Sequence, residues 1–208
     1  MNHIGLDFDN TIVLYDEIFY DYALKLGKID KEIPHTKEAV RNYLIHSGNE
    51  DIFTKIQGKI YGELIKEAPV QEGLIEAIYR LKSNGYQFSI VSHKTKYPII
   101  GERVDLHQSA LRWLIKNGFT EGENPLIKIE NIFFEETFTQ KIERINSIKC
   151  DIYVDDLPKV LDELGEDIIK VYFSKHKDDP NKIKDQSFYK LFDWNDFENL
   201  IVDKVKIK

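Results

Sequence analysis

The sequence indicates its fold most clearly in one stretch, Ile4–Val13, which reads IGLDFDNTIV. The apolar run Ile4–Phe8 has the length of a short buried strand, and the polar residues after it end that strand. Asp7 and Asp9 are two residues apart, so on an extended chain their side chains point the same way. A simple turn with a helix cap is the structural alternative, but it leaves Asp7 at the end of a buried strand unexplained. The stretch therefore predicts a functional site at the end of the first strand.

Working outward, four more runs have the residue pattern of strands, and two of these runs are followed by polar residues. The runs are Tyr86–Val91, Ile129–Phe134, Ile152–Val154 and Ile168–Phe173, the last of these being the final predicted strand. The segments between these predicted strands have apolar residues at helical spacing. Strands that alternate with helices predict an α/β fold, a Rossmann-like and mainly parallel sheet with helices on both faces.

The segment between Tyr15 and Pro69 contains helical patterns and no convincing strand. Thr36, for example, is placed as the N-cap of a helix that continues through Leu44. The simplest organisation is a core domain of residues 1–14 and 70–208, interrupted by a small all-helical cap at residues 15–69. Residues 175–184 are rich in Lys, Asp and Pro and predict an exposed loop.

Composition narrows the classes of function. The 208 residues carry a formal net charge of −7 with both signs mixed along the chain, which gives no basis for nucleic-acid binding. No apolar stretch approaches the roughly 20 residues that span a bilayer, and the acidic motif begins too early to leave room for a signal peptide. A cytoplasmic location is therefore expected.

Cys150 is the single cysteine, so an internal disulfide is impossible and a buried structural thiol is expected. The oligomeric state is not indicated.

Carboxylates stand at the ends of two predicted strands. Ligands of open α/β sheets bind at the carboxyl ends of the strands, and there the acidic pair Asp155 and Asp156 would join Asp7 and Asp9. Crowded carboxylates repel one another unless a cation lies among them. Oxygen ligands suit a hard cation, and Mg²⁺ is the usual one where a phosphate also binds. We therefore predict a magnesium site.

Four features of the chain resemble the motifs of the haloacid dehalogenase (HAD) superfamily and occur in the order of that family. The first motif of the family reads Asp-x-Asp-x-Thr/Val after an apolar strand. The matching positions are Asp7–Val13, then Ser92 after a strand, then Lys141 in the run TQKI, and finally Val154–Asp156. The helical segment 15–69 lies where many members carry a C1-type cap.

The resemblance implies a role for each matched residue. Asp7 would be the nucleophile that forms an aspartyl-phosphate, and Asp9 the general acid and base. Ser92 and Lys141 would bind the phosphoryl group. Mg²⁺ would be held by Asp7, the backbone carbonyl of Asp9, Asp156 and, in a supporting role, Asp155.

The neighbours of these residues complete the candidate phosphate site. Asn10 and Thr11 would shape the turn and bind phosphate, and His93, next to Ser92, is a candidate for substrate contact. Dehalogenases of the superfamily lack the second aspartate, so Asp9 argues against cleavage of a carbon–halogen bond. The predicted function is hydrolysis of a small phosphorylated metabolite.

Several alternatives stay open at this point. Asp155–Asp156 and Ser92 are also suited to capping helices. Lys141 is also suited to a solvated helix surface, and Lys149 or Lys94 would then be the lysine of the third motif. A phosphomutase or a phosphonate hydrolase would use the same active centre. A phospho-accepting receiver domain normally has its acidic pair on the first strand, which is not the order found here. A non-catalytic binding module is the remaining alternative.

Overall fold

The computed structural model of the protein describes residues 2–175 and 188–205. These residues form two compact units. The first consists of the described parts of Met1–Ile12, Val70–His93 and Gly118–Lys208, and the second of Val13–Pro69 and Lys94–Asn117. The domain boundaries at 14/15 and 69/70 stay a prediction. The sequence analysis did not predict that Lys94–Asn117 belongs to the second unit.

Strands and helices alternate along much of the chain. The strands are β1 (His3–Leu6), β2 (Gln87–His93), β3 (Ile132–Glu135), β4 (Ile152–Asp155), β5 (Ile169–Phe173) and β6 (Tyr189–Leu191). The helices are α1 (Asp16–Lys25), α2 (Lys37–His46), α3 (Glu50–Gly62), α4 (Leu74–Ser83), α5 (Leu106–Lys116), α6 (Phe138–Ile148), α7 (Pro158–Asp162) and α8 (Phe197–Val205). In the described part of the chain, no helix has both the length and the apolar character needed to cross a membrane.

The first unit is built on one sheet with the strand order β3-β2-β1-β4-β5-β6, in which every neighbouring pair is parallel. This confirms the predicted α/β fold with a parallel sheet. The chain leaves β1 toward β2 and β3 on one side and returns to β4 on the other side. The strand order therefore reverses between β1 and β4, and the carboxyl ends of these two strands flank the place where such sheets bind ligands.

The central strands are buried on both faces. Ile152, Tyr153 and Val154 of β4 are fully buried although consecutive side chains point to opposite faces of the sheet. This burial explains why β4 reads as a continuous apolar run rather than as an alternating pattern. Cys150 lies beside this core as expected, and burial raises the pKa of its thiol to about 12, so the thiol is protonated near neutral pH.

Two strand predictions differ from the structure. The predicted strand at Ile129–Phe134 begins as a 3-10 turn, Ile129–Asn131, and β3 starts only at Ile132. Asp and Asn types favour turns over strands, and Asn131 ends that turn. β6 lies beyond the strand predicted to be the last one, and its three residues are too few to show a periodic pattern. The predicted loop at 175–184 lies, apart from Lys175, outside the described residues.

The second unit is helical. Its elements are α1, α2, α3, a 3-10 turn at Leu64–Glu67, and α5. Thr36 caps α2 as predicted, because its Oγ1 accepts a hydrogen bond from the Ala39 amide at 3.1 Å. The described residues of 15–69 contain no strand, in agreement with the sequence pattern.

Close packing between the two central strands depends on Gly5. A Cβ atom at this position would lie 2.6 Å from Cδ2 of Tyr153 on β4. The Tyr153 ring is itself held in place, because its hydroxyl donates to the Val91 carbonyl at 2.6 Å. Gly5 therefore lets the ring lie directly against the β1 backbone.

Replacing Gly5 with alanine is expected to lower the free energy of unfolding by about 1–3 kcal/mol, because the Tyr153 ring cannot retreat without losing its hydrogen bond. Urea unfolding of the purified variant measures this change. Gly165→Ala is a matched control, since a Cβ at Gly165 meets no heavy atom within 4 Å. Equal stability of the two variants would contradict the close contact.

Candidate active site

Two carboxylates from neighbouring strands meet at the reversal point of the sheet. Asp155 is the last residue of β4, and Asp7 follows β1 directly. The ladder between the strands pairs Leu6 with Val154, and the Asp7 amide continues it by donating to the Val154 carbonyl at 2.9 Å. Asp7 is 4% exposed and Asp155 is fully buried. Sheet register thus places both acids side by side away from solvent.

Lys141 lies between these two carboxylates. Its Nζ is 2.6 Å from Oδ1 of Asp7 and 2.6 Å from Oδ2 of Asp155, and the residue is 2% exposed. Lys141 stands in the first turn of α6, which begins with a capping box between Thr137 and Gln140. The capping box fixes where the helix starts, and the helix carries the lysine to the ends of β1 and β4.

The third acid, Asp156, is oriented by the loop after β1. Asn10 donates from its side-chain amide to Oδ2 of Asp156 at 2.9 Å. Asn10 has a left-handed backbone with φ of 62°, a conformation that asparagine adopts more readily than most residues. The loop therefore links the first motif directly to the late acidic pair.

The remaining predicted site residues lie near the same edge of the sheet. Ser92 is the penultimate residue of β2, next to β1, and is 1% exposed. Thr11 is fully buried, and its hydroxyl has no hydrogen-bond partner among the described residues. Asp9 is half-buried in the loop after β1. His93 is exposed, and its Nε2 contacts the Glu136 carbonyl at 3.2 Å, so it belongs to the rim of this edge.

The acidic cluster fits a hard divalent cation. Oxygen atoms of Asp7, Asp155 and Asp156 all lie within 4.8 Å of one another, and among the described residues these carboxylates approach closely enough to share one ion. An ion such as Mg²⁺ takes oxygen ligands at about 2.0–2.1 Å. Asp155 already accepts hydrogen bonds from Lys141 and, at 2.9 Å, from the Leu157 amide. Both oxygens of Asp155 are therefore already engaged, and Asp155 is suited to support an ion that Asp7 and Asp156 could hold.

Comparison with known structures identifies the architecture. A HAD-superfamily hydrolase from Ehrlichia chaffeensis matches with a TM-score of 0.56 and 13% sequence identity, over 98% of this chain and 97% of the other. The chain has the fold of the HAD superfamily. A protein from Clostridium acetobutylicum, described as a predicted phosphatase, matches with a TM-score of 0.60 and 13% identity, over 97% and 98% of the two chains.

Sequence comparison gives a relative of similar length. A protein of Oceanobacillus iheyensis that carries the name "Putative nucleotidase OB0422" is 28% identical over 200 residues, which cover 95% of this chain and 97% of that protein. No family model matches the chain. The similarity therefore extends over nearly the whole of both proteins and is not confined to the motifs.

Three lysines are candidates for the positive charge beside Asp7, namely Lys141, Lys149 and Lys94. Lys141 contacts Asp7. Lys149 is exposed and forms the left-handed C-cap at the opposite end of α6. Lys94 belongs to the second unit, where its Nζ lies 4.1 Å from the centroid of the Tyr61 ring. Of these three lysines, Lys141 is placed against the carboxylates of Asp7 and Asp155.

The charges in the cluster do not balance. Burial by itself lowers the pKa of the Lys141 ammonium, but Asp155 and Asp7 outweigh that effect and hold the pKa well above its ordinary value. Burial raises the pKa of the Asp155 carboxyl well above its ordinary value; Lys141 opposes this rise, and Asp7 and Asp156 add to it. With all three acids ionised, one ammonium group would leave an excess of negative charge, and a divalent cation bound among them would favour the ionised form of Asp155.

Sequence reasoning missed one residue of this site. Gln71 is 5% exposed and donates from its side chain to the backbone carbonyl of Asn10 at 2.8 Å. It belongs to no recognisable motif and lies 61 positions from its partner. A buried glutamine shortly before a helix has no local signal that distinguishes it from an ordinary loop residue.

Removing the ammonium group should destabilise the fold. Lys141→Met is expected to lower the free energy of unfolding in metal-free buffer by about 3–5 kcal/mol, because it leaves two buried carboxylates without their partner. Urea unfolding measures the loss, and the double variant Lys141→Met/Asp155→Asn should regain part of it.

The control for this variant is Lys149→Met on the exposed end of the same helix. It should change stability by no more than about 0.5 kcal/mol. Similar stabilities for Lys141→Met and Lys149→Met would show that the buried ion pairs do not form as described.

Proposed function

We propose that this protein is a magnesium-dependent phosphomonoesterase that acts on a small phosphorylated metabolite through an aspartyl-phosphate at Asp7. One arrangement carries the proposal. Asp7, Asp155 and Asp156 converge within 4.8 Å at the reversal point of a parallel sheet, and Lys141 lies 2.6 Å from Asp7. A nucleophile, a cation site and a fixed positive charge are together what phosphoryl transfer requires.

In the first step, a carboxylate oxygen of Asp7 forms a bond to phosphorus while the bond from phosphorus to the ester oxygen breaks. Asp9 gives its proton to the departing oxygen, so the product leaves as a neutral alcohol. In the second step, Asp9 takes a proton from a water molecule, whose oxygen attacks the phosphorus. Inorganic phosphate is released and the Asp7 carboxylate is regenerated.

The other residues of the site control charge and position. Lys141 reduces the repulsion between Asp7 and an incoming phosphate dianion, because its ammonium is already in contact with Asp7. Ser92, Thr11 and Asn10 would bind phosphoryl oxygens, and His93 at the rim would contact the substrate. Asp7, the Asp9 carbonyl and Asp156 would hold Mg²⁺, with Asp155 in support. When bound, the metal supplies neutralisation of charge on the phosphoryl oxygens.

Within phosphate monoesters, we infer that the substrate is a nucleotide. The support for this choice is the nucleotidase name of the Oceanobacillus iheyensis relative, whose sequence similarity covers 97% of that protein. Asp9 adds support for ester hydrolysis in general, since an alkoxide leaving group needs a proton and a halide does not.

Assay of phosphate release tests the proposal directly. The purified protein should release phosphate steadily from nucleoside monophosphates in the presence of Mg²⁺, faster than from sugar phosphates. Chelation should stop release and added Mg²⁺ should restore it. Asp7→Asn should reduce turnover by about 10³-fold or more. Asp155 still pairs with Lys141 in this variant, and circular dichroism should show that the variant is folded.

Asp162→Asn serves as the control, because Asp162 is an exposed carboxylate on α7 and should behave like the wild type. Turnover that survives chelation, or that survives in Asp7→Asn, would overturn the mechanism. Activity on sugar phosphates but not on nucleotides would overturn only the substrate class.

The role of Asp9 can be tested with two leaving groups. Asp9→Ala should slow the first turnover of an alkyl phosphate by about 10²–10⁴-fold. The first turnover of p-nitrophenyl phosphate should suffer less, because p-nitrophenolate leaves without a proton. Rapid-mixing measurement should then show a burst of p-nitrophenolate, since hydrolysis of the intermediate still needs a base. An equal loss on both esters without a burst would exclude Asp9 as the proton donor.

A further inference from the structure

Gln71 connects the segment before α4 to the loop that carries the first motif. Its side-chain amide donates to the Asn10 carbonyl at 2.8 Å, and its backbone amide donates to the Ile12 carbonyl at 2.9 Å. The residue is 5% exposed, so both bonds are shielded from water. Gln71 therefore binds the loop at two points, on either side of Thr11.

The bond to Asn10 holds an unfavourable backbone conformation. In the described chain, Asn10 and Lys149 are the residues other than glycine with positive φ. This conformation is less unfavourable for asparagine than for most residues, and it persists where neighbouring groups hold it. Gln71 supplies such a contact, because it bonds the carbonyl whose direction that conformation sets.

Asn10 passes this constraint on to the acidic cluster. With its backbone held, its side-chain amide donates to Oδ2 of Asp156 at 2.9 Å. Asp156 is one of the three carboxylates that approach one another within 4.8 Å. A continuous path of two hydrogen bonds thus runs from Gln71, through Asn10, to a carboxylate of the candidate metal site.

We propose that Gln71 is a positioning residue that sets the affinity for the divalent cation by orienting Asp156 through Asn10. The inference rests on the proposed function, since it assumes that Asp156 is a metal ligand. Gln71 bonds to backbone carbonyls of the loop after β1, and it acts by fixing the geometry of that loop. Groups that orient metal ligands in this way typically change metal affinity by about 10- to 100-fold when they are removed.

The chemistry of the contact requires an amide at position 71. A glutamate there would present an oxygen to the Asn10 carbonyl, and two acceptors repel each other. A methionine keeps the length and burial of the side chain but has no donor. The two replacements therefore remove the same bond in different ways, one with added charge and one without.

The test is a double-mutant cycle on metal binding, measured without substrate. The affinity for Mn²⁺, used as a spectroscopic substitute for Mg²⁺, is determined by electron paramagnetic resonance titration. Gln71→Met and Asn10→Gly should each weaken binding by about 10- to 100-fold. Glycine suits the left-handed position, so Asn10→Gly removes the amide without straining the backbone.

If the two residues act along one path, the double variant should bind Mn²⁺ about as weakly as either single variant. Gln71→Glu should also bind more weakly than the wild type. Gln87→Met is the matched control, because Gln87 is exposed at the amino end of β2, and it should bind like the wild type. Thermal unfolding in metal-free buffer, followed alongside, should show that the variants remain folded.

Wild-type affinity in Gln71→Met, or losses that multiply in the double variant, would overturn the inference while leaving the proposed function intact. A wild-type protein that binds no Mn²⁺ would instead overturn the metal site and the inference with it. If Gln71→Met unfolds and Gln71→Glu does not, the double-mutant cycle is measured with Gln71→Glu instead, and the same outcomes decide the inference.

Discussion

The structure depends on one interaction, the ammonium group of Lys141 shared between carboxylates of two adjacent strands. Asp7 and Asp155 stand side by side because parallel pairing of β1 and β4 leaves them no other arrangement. Both are nearly or fully buried, and two adjacent buried anions without a cation would destabilise the fold. Lys141, at 2.6 Å from each, makes their proximity possible.

That interaction also prepares the site for chemistry. The lysine neutralises only part of the negative charge, and Asp156 adds to the excess. Under the proposed function, the remaining charge would attract a divalent cation, and the ammonium beside Asp7 would allow an anionic phosphate to approach. The arrangement that stabilises the fold and the arrangement proposed for catalysis are therefore the same.

The topology of the sheet explains why the acids come from distant parts of the chain. Because β4 joins the sheet on the opposite side of β1 from β2, the strand order reverses between β1 and β4. Open α/β sheets bind their ligands outside the carboxyl ends of the strands at such a reversal, where Asp7 and Asp155 stand here. The HAD fold thus supplies the position of the site, while the residues at the strand ends supply its chemistry.

Much of this organisation could be predicted from local sequence. Segments rich in apolar residues indicate buried strands, which is why β1, β2, β4 and β5 were predicted close to their observed positions. β6, by contrast, is too short to show a pattern. The alternation of strands and helices predicted the sheet, and polar residues at the strand ends predicted which edge would be functional. These signals are local because they reflect the periodicity of strands and helices and the chemistry of their ends.

The sequence by itself determined the fold class and the identity of the acidic residues at the strand ends. Only the tertiary structure decided which lysine meets Asp7, from 134 positions away, and that Gln71 holds the Asn10 turn from 61 positions away. It also decided that Lys94–Asn117 groups with the helices of the second unit. Local patterns record what a segment prefers to form, whereas partners distant in sequence are chosen by the packing of the whole chain, which minimises unpaired buried charge and unsatisfied polar groups.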